Sequence, residues 1–373
     1  MGLMILGMGT AVPPFRISQA DAAQVARLFA GPTDGQERTL AALYRRTGVE
    51  TRHSTILQTE SGPAGERQTF FPGAASAQDR GPSTAERMQQ FDAAAAPLAI
   101  EAAQRALNES GVAAAEITHL VTVSCSGFSA PGFDYALIGE LGLRRGVART
   151  HVGFMGCHGA LNGLRVARAF AESDPAARIL VCAVELCSLH YRYGWDPESL
   201  VANALFSDGA AAIVGSARTP ANQPAIFELQ SNGSHCVEET IDAMTWRVGN
   251  HGFEMTLSAR VPDLIVEHLR PWLERWLNDH KLTLGEIGSW AVHPGGPRIL
   301  GACLEAIGLN KAALTASQQI LSEFGNMSSP TLLFILNRLR MTAAPLPCVA
   351  LGFGPGLTIE AALFGAHGSC LGC

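Results

Sequence analysis

Lysine is nearly missing from this 373-residue chain: among 27 basic residues only Lys281 and Lys311 are lysines. Any anionic ligand must therefore be held by arginine forks or by backbone N–H groups. The formal net charge is −6, and the sequence has neither a basic tract nor a basic stripe interleaved with aromatics. Nucleic acid is thereby excluded as a bulk partner. No window of about 18 residues is both apolar and free of charge, so no membrane span is expected. Met1 to Thr10 lacks the basic n-region of a secretory leader and reads as a short core strand. What remains is 47% hydrophobic and only 16% charged, with 39 glycines, the composition of a deeply buried α/β enzyme. Such a length accommodates two cores of roughly 150 residues each, or one large unit built from two halves.

Cysteine is abundant but not arranged for disulfides. Nine are scattered at 125, 157, 182, 187, 236, 303, 348, 370 and 373, and an odd, dispersed set points to a reducing, cytoplasmic compartment. Cys370 and Cys373 form a lone Cys-x-x-Cys, which lacks the two further ligands a zinc site needs. Cys187 and His190, three apart, are likewise a pair and not a site, so no metal is expected.

Cys157 stands apart from the rest. It lies in His151-Val-Gly-Phe-Met-Gly-Cys157-His-Gly, where a strand-like run meets a glycine turn and then an amphipathic helix from Ala160 to Ala171. A thiol at a helix N-terminus is placed where the dipole favours thiolate. A nucleophile is one reading and a buried structural cysteine is the other. Elsewhere helices and strands alternate throughout. Ser18 with Asp21, and Ser83 with Glu86, have the spacing of capping boxes, and Ser61 to Pro82 is a Gly-, Pro- and Ser-rich loop.

Leu205-Phe206-Ser-Asp-Gly and Gly352-Phe-Gly-Pro-Gly each run from a glycine turn into an apolar strand, about 147 residues apart. This echo predicts two related halves, residues 1–218 and 219–373, joined by a linker at Ala217-Arg-Thr-Pro-Ala-Asn-Gln-Pro. His293, in Trp290-Ala-Val-His-Pro-Gly-Gly-Pro, ends a buried strand and is placed to project into a cleft between them. Asn326, in Gly325-Asn-Met-Ser-Ser-Pro, lies between two helices and reads either as a helix cap or as a third polar group of the same site.

Taken together, Gly153-Phe-Met-Gly-Cys157, Leu205-Phe206-Ser-Asp-Gly, His293-Pro-Gly-Gly-Pro, Gly325-Asn326-Met-Ser-Ser and Gly352-Phe-Gly-Pro-Gly resemble the chalcone and stilbene synthase family, the type III polyketide synthases. The resemblance spans the chain from Gly9 to Phe364. It implies an α/β, thiolase-like αβαβα layered fold of two pseudo-duplicated halves, a homodimer, and iterative condensation of malonyl-CoA onto an acyl-CoA starter. No cofactor beyond those coenzyme A thioesters is implied. Cys157 falls on the nucleophile, His293 and Asn326 on the two hydrogen-bond donors, and Phe206 on the aromatic beside them. Met255, Cys125, Ala130 and Ser328 fall on the substrate cavity, with Cys187 and His190 close to it. Ser129 to Phe133 falls on the stretch where one subunit touches its partner.

The lysines of the plant enzymes' CoA entrance are absent. Arg45, Arg46 and Arg298 are the substitutes, with Arg52 in the same run. Met255, Cys125 and Ala130 suggest a cavity not closed by rigid aromatics, and hence an aliphatic starter with pyrone or resorcinol products. Trp246 and Phe253, close by in sequence, are able to narrow that space. A β-ketoacyl-ACP synthase of the fatty-acid initiation type shares the Cys, His and Asn set, but the His-Pro-Gly-Gly-Pro and Gly-Phe-Gly-Pro-Gly motifs favour the polyketide branch. A papain-like protease lacks its signature here, and a non-catalytic thiolase-fold partner protein would not need all three reactive side chains.

Overall fold

A computed structural model describes residues 2–31, 33–219 and 224–366. The strands are β1 (Leu3–Ala11), β2 (Arg16–Ser18), β3 (Thr51–His53), β4 (His119–Ser124), β5 (Ala148–Gly153), β6 (Arg178–Leu186), β7 (Asp208–Ser216), β8 (Phe227–Val237), β9 (Met244–Gly249), β10 (Gly252–Leu257), β11 (Ser289–Val292), β12 (Cys348–Gly354) and β13 (Leu357–Gly365). The helices are α1 (Gln19–Ala30), α2 (Asp34–Arg46), α3 (Thr84–Ser110), α4 (Phe133–Glu140), α5 (Gly159–Ser173), α6 (Pro197–Leu205), α7 (Val261–Asp279), α8 (Pro297–Ile307), α9 (Thr315–Phe324) and α10 (Pro330–Met341).

Nine strands form one sheet in the order β11-β12-β13-β8-β1-β7-β6-β4-β5, while β9 with β10 and β2 with β3 form two small ribbons. Among the described residues, the strands before residue 218 pair with those after it where Leu3, Met4 and Ile5 of β1 face Leu229, Glu228 and Phe227 of β8. In the sheet β7 follows β1 as β13 follows β8, so the echoed segments occupy equivalent places. The three large apolar clusters among the described residues lie between the layers. Ala99, Ala102 and Ala106 of α3 pack on Leu180 and Val214. Leu161 and Leu164 of α5 with Leu332 and Ile335 of α10 fill the centre, touching Val181 on one side and Ala350 and Phe364 on the other. Leu269, Leu273 and Ile299 of α7 and α8 cover Val349 and Leu363.

Local chemistry explains these elements. Ser18 caps α1 by accepting from the Asp21 N–H, and Ser83 with Glu86 forms a full capping box at α3, as the spacing predicts. The alanine-rich face of α3 lets it lie directly on β1, where a Cβ on Gly7 would fall 2.3 Å from the Ala106 carbonyl. Small residues on both partners are what permit so close a layer. Part of the expected linker, 220–223, and the Cys370/Cys373 pair lie outside the described residues. Among the described residues no helix is long and apolar enough to cross a membrane.

Candidate active site

Cys157 sits in a short 3-10 turn, Gly156–His158, that leads into α5. Its remaining exposure faces a cavity. Two adjoining chambers meet at this residue and share Ala202, Phe206, Met244 and Met255. One, of about 710 Å³, is lined by Cys125, Glu185, Cys187, His190, Trp246, Phe253 and Ser328. The other, of about 480 Å³, is lined by His293, Asn326, Leu257, Ile299 and Phe353. The fold thus brings Cys157, His293, Asn326, Phe206, Met255, Cys125 and Ser328 to one place.

Each of these side chains is fixed by its element. Phe206 ends α6, and a two-residue bridge ties it to Asn326. Asn326 N–H donates to the Leu205 carbonyl at 2.9 Å, and Ser207 N–H donates to the Asn326 carbonyl at 2.9 Å. Asn326 is not the cap of α10, since Ser329 holds that position. Its Oδ1 instead accepts from the Ser328 N–H at 2.8 Å, which turns its NH₂ outward, and Asn326 and Ser328 both hydrogen-bond the Cys157 thiol. Ser328 adopts a left-handed φ of 55° to do so, a strained conformation of the kind found at functional sites.

His293 follows the last residue of β11, anchored by its N–H to the Leu351 carbonyl at 2.8 Å. It is 1% exposed, and neither ring nitrogen has a partner among the described residues. Buried imidazole nitrogens are normally satisfied, so this ring is set to meet something in the chamber.

The electrostatics correct one expectation. Burial pushes the Cys157 thiol up to about 11, and the Glu185 carboxylate adds to the rise against the hydrogen bonds from Ser328 and Asn326. A helix dipole is worth about 0.3–1 kcal/mol, less than one pKa unit, so desolvation wins and the resting thiol is protonated. Burial also holds His293 down at about 3, with a smaller push from His158. The resting pair is neutral thiol and neutral imidazole.

Glu185, fully buried, escaped the sequence reading. Its carboxylate accepts from Cys125 N–H, Ser126 N–H and Oγ, and Ser329 Oγ, and burial raises its pKa despite those bonds. Only its place in the apolar run Val-Cys-Ala-Val-Glu hinted at it. The aromatic wall also corrects the expected openness. Trp246 Nε1 donates to the Cys125 carbonyl at 2.7 Å. His190 is clamped between the Ser126 carbonyl at 2.6 Å and the Phe253 N–H at 2.9 Å and stacks on Phe253 at 4.3 Å. Met255 faces Trp246 across the β9–β10 hairpin, so the flexible side chain has a rigid, pinned neighbour.

Two further placements differ from expectation. Ala130 does not reach the Cys157 chambers; it borders a separate cavity of about 540 Å³ with Phe128, Pro131 and Phe133. Arg52 is 2% exposed and donates to the Asn203 and Phe206 carbonyls, so it braces the Phe206 turn and is not free to meet a phosphate. Arg45, Arg46 and Arg298 are exposed. The ends of α2 and α8 abut, since a Cβ on Gly48 would meet the Pro297 ring at 3.4 Å, which gathers these three arginines on one side of the molecule. Among the described residues no group of three or more His, Cys, Asp or Glu side chains is placed to hold a metal ion.

The N-terminal domain pattern of chalcone and stilbene synthases matches residues 2–218, and the C-terminal domain pattern matches residues 228–366. The alpha-pyrone synthesis polyketide synthase-like Pks18 of Mycobacterium tuberculosis is 33% identical over 97% of this chain and 90% of its own. The 1,3,6,8-tetrahydroxynaphthalene synthase of Streptomyces peucetius is 33% identical over 96% of this chain and 92% of its own. The crystal structure of PKS-I from the brown alga Ectocarpus siliculosus superposes with a TM-score of 0.90 at 30% identity, covering 98% of each chain. The layered architecture is therefore the thiolase-like one. The chain belongs to the chalcone and stilbene synthase family. It is a type III polyketide synthase, a condensing acyltransferase of a family that works on coenzyme A thioesters without a further cofactor.

Proposed function

We propose that Cys157 is the acyl-carrying nucleophile and that His293 and Asn326 stabilise the enolate formed from malonyl-CoA. Because the resting pair is neutral, the thiol proton passes to His293 as Cys157 attacks the starter thioester, and CoA leaves as its thiol with that proton. Loss of CO₂ from malonyl-CoA then places negative charge on the thioester oxygen, where the Asn326 NH₂ and the neutral His293 N–H are available as donors. The resulting carbanion carbon attacks the acyl-Cys157 carbonyl. A C–C bond forms, the C–S bond breaks, and the extended chain departs on CoA. The single observation that carries this reading is the buried His293 ring, unpartnered among the described residues, in the chamber that also holds Cys157 and Asn326.

Ile299 lines the His293 chamber and directly follows the exposed Arg298 in α8, so the CoA phosphates are assigned to Arg298, Arg45 and Arg46. The larger chamber takes the growing chain, and its pinned Trp246 and Phe253 wall bounds the starter. Cyclisation gives a pyrone, a resorcinol or a related aromatic product. The wider organisation belongs to the same reading: halves dividing at residues 218 and 219, a cytoplasmic location, and a homodimer. Phe128, 53% exposed, with Tyr135 and Met155 also exposed, supplies apolar surface for a two-fold contact around Ser129 to Phe133. Incubation with malonyl-CoA and short, aromatic and long-chain acyl-CoAs, followed by mass analysis, tests the function. Starter-dependent polyketides are expected; turnover of acyl-carrier-protein substrates alone would move the protein to the fatty-acid initiation class.

A further inference from the structure

His158, next to the nucleophile, heads a buried polar chain that runs into the other half of the sheet. Its Nδ1 lies 2.7 Å from Asn162 Oδ1. Asn162 Nδ2 donates to Glu360 Oε1 at 3.3 Å, and Ser234 Oγ donates to the same carboxylate oxygen at 2.7 Å. Arg165 pairs with the other oxygen. The proton roles follow in order. Glu360, anchored by Arg165, accepts only; Asn162 must turn its NH₂ towards it; its Oδ1 therefore faces His158, and the proton of the neutral imidazole is fixed on Nδ1.

The ring then wedges against the strand beside His293. A Cβ on Gly354 would fall 2.3 Å from His158 Cδ2 and Nε2, and one on Gly352 would fall 2.9 Å from His158 Cβ. Both glycines lie on β12, whose Leu351 carbonyl holds His293. The two imidazoles are close enough that charge on His158 opposes charge on His293.

We propose that His158 is a positioning residue for the condensation: the His158–Asn162–Glu360 chain locks the Cys157 turn, which leads into α5, against the strand whose Leu351 carbonyl holds His293. The need for such a lock is plain from connectivity. Cys157 comes from one group of strands and helices, and both of its proposed partners come from the other, so their alignment depends on contacts across the central layer. A shift of about 1 Å at such a centre can cost up to a hundredfold in rate.

The proposal rests on Cys157 being the acylated residue, and the test separates the two. Transfer of a starter acyl group from CoA to Cys157 is followed by intact-protein mass at short times in the wild type, His158→Leu, Asn162→Leu and His158→Gln, with thermal unfolding in parallel. Asn162 is half-buried, so its replacement cuts the chain without emptying the core. The two leucine variants are expected to acylate about tenfold to a hundredfold more slowly, with KM for the acyl-CoA within about twofold of wild type because the CoA contacts are untouched. His158→Gln, whose amide reaches Asn162 Oδ1, is expected to keep most of the rate. Wild-type acylation rates in both leucine variants would overturn the positioning role, as would an equal loss in all three variants, which would mark His158 as filling space only. Absence of any adduct on Cys157 in the wild type would instead refute the nucleophile assignment itself.

Discussion

At the scale of single residues, the central problem is a thiol that rests protonated. Ser328 and Asn326 pull the Cys157 pKa down while burial and Glu185 push it up, and the two influences give opposite tests. Ser328→Ala removes a bond that favours thiolate, so the midpoint of Cys157 alkylation by iodoacetamide is expected to move to higher pH. Glu185→Gln removes a negative charge that opposes thiolate, so the midpoint is expected to move to lower pH. Shifts in the same direction would contradict the balance described. The sequence made Cys157, His293 and Asn326 legible because each stands at the end of an element, Cys157 and Asn326 directly after a glycine and His293 ahead of Pro-Gly-Gly. Glu185 was hidden because a carboxylate in an apolar strand carries no motif, and its meaning comes from five donors contributed by two distant segments. Arg52 misled for the complementary reason: Arg45 and Arg46, earlier in the same run, are exposed, whereas its own side chain turns inward.

At the scale of elements, the β9–β10 hairpin decides how much chain the larger chamber holds. Met255 and Trp246 are cross-strand partners, and Trp246 is the rigid member, tied to the Cys125 carbonyl. Trp246→Ala is expected to lengthen the accepted starter or add an extension, and Met255→Trp to shorten one of them, read from the product masses. An unchanged product profile in both variants would remove this wall from the account. Met255, Cys125 and Ala130 suggested an open cavity because the chain, read linearly, does not reveal that Trp246 bonds back to residue 125. Two helix starts, by contrast, were readable: the capping residues Ser18 and Ser83 begin α1 and α3 where their chemistry requires.

At the scale of the whole molecule, two properties follow. Phe128, Tyr135 and Met155 are exposed apolar side chains in and around the proposed contact stretch, and sedimentation at micromolar concentration is expected to show a dimer; a stable monomer would refute that contact. Stability is also expected to fall in mild acid. Burial holds His190 and His293 down at about 3 in the folded chain, against about 6.5 when unfolded. Below that unfolded value the unfolded chain binds more protons, so stability is lost as the pH drops from about 6.5 towards 3, by up to about 1.4 kcal/mol per pH unit for each histidine. The buried carboxyls of Asp208, raised to about 6, and Glu185, also raised, act in the opposite sense below about pH 6, so the histidine contribution is read between pH 7.5 and 6, and denaturation midpoints that match across that interval would contradict it.

The most direct test of the account is the site of acylation. Brief incubation with an acyl-CoA, digestion and mass analysis should place the acyl group on the peptide containing Cys157, and Cys157→Ala should carry no adduct and form no polyketide while unfolding at the wild-type temperature. An acyl group on any of the other cysteines, or chain extension by folded Cys157→Ala, would contradict the assignment on which the mechanism stands.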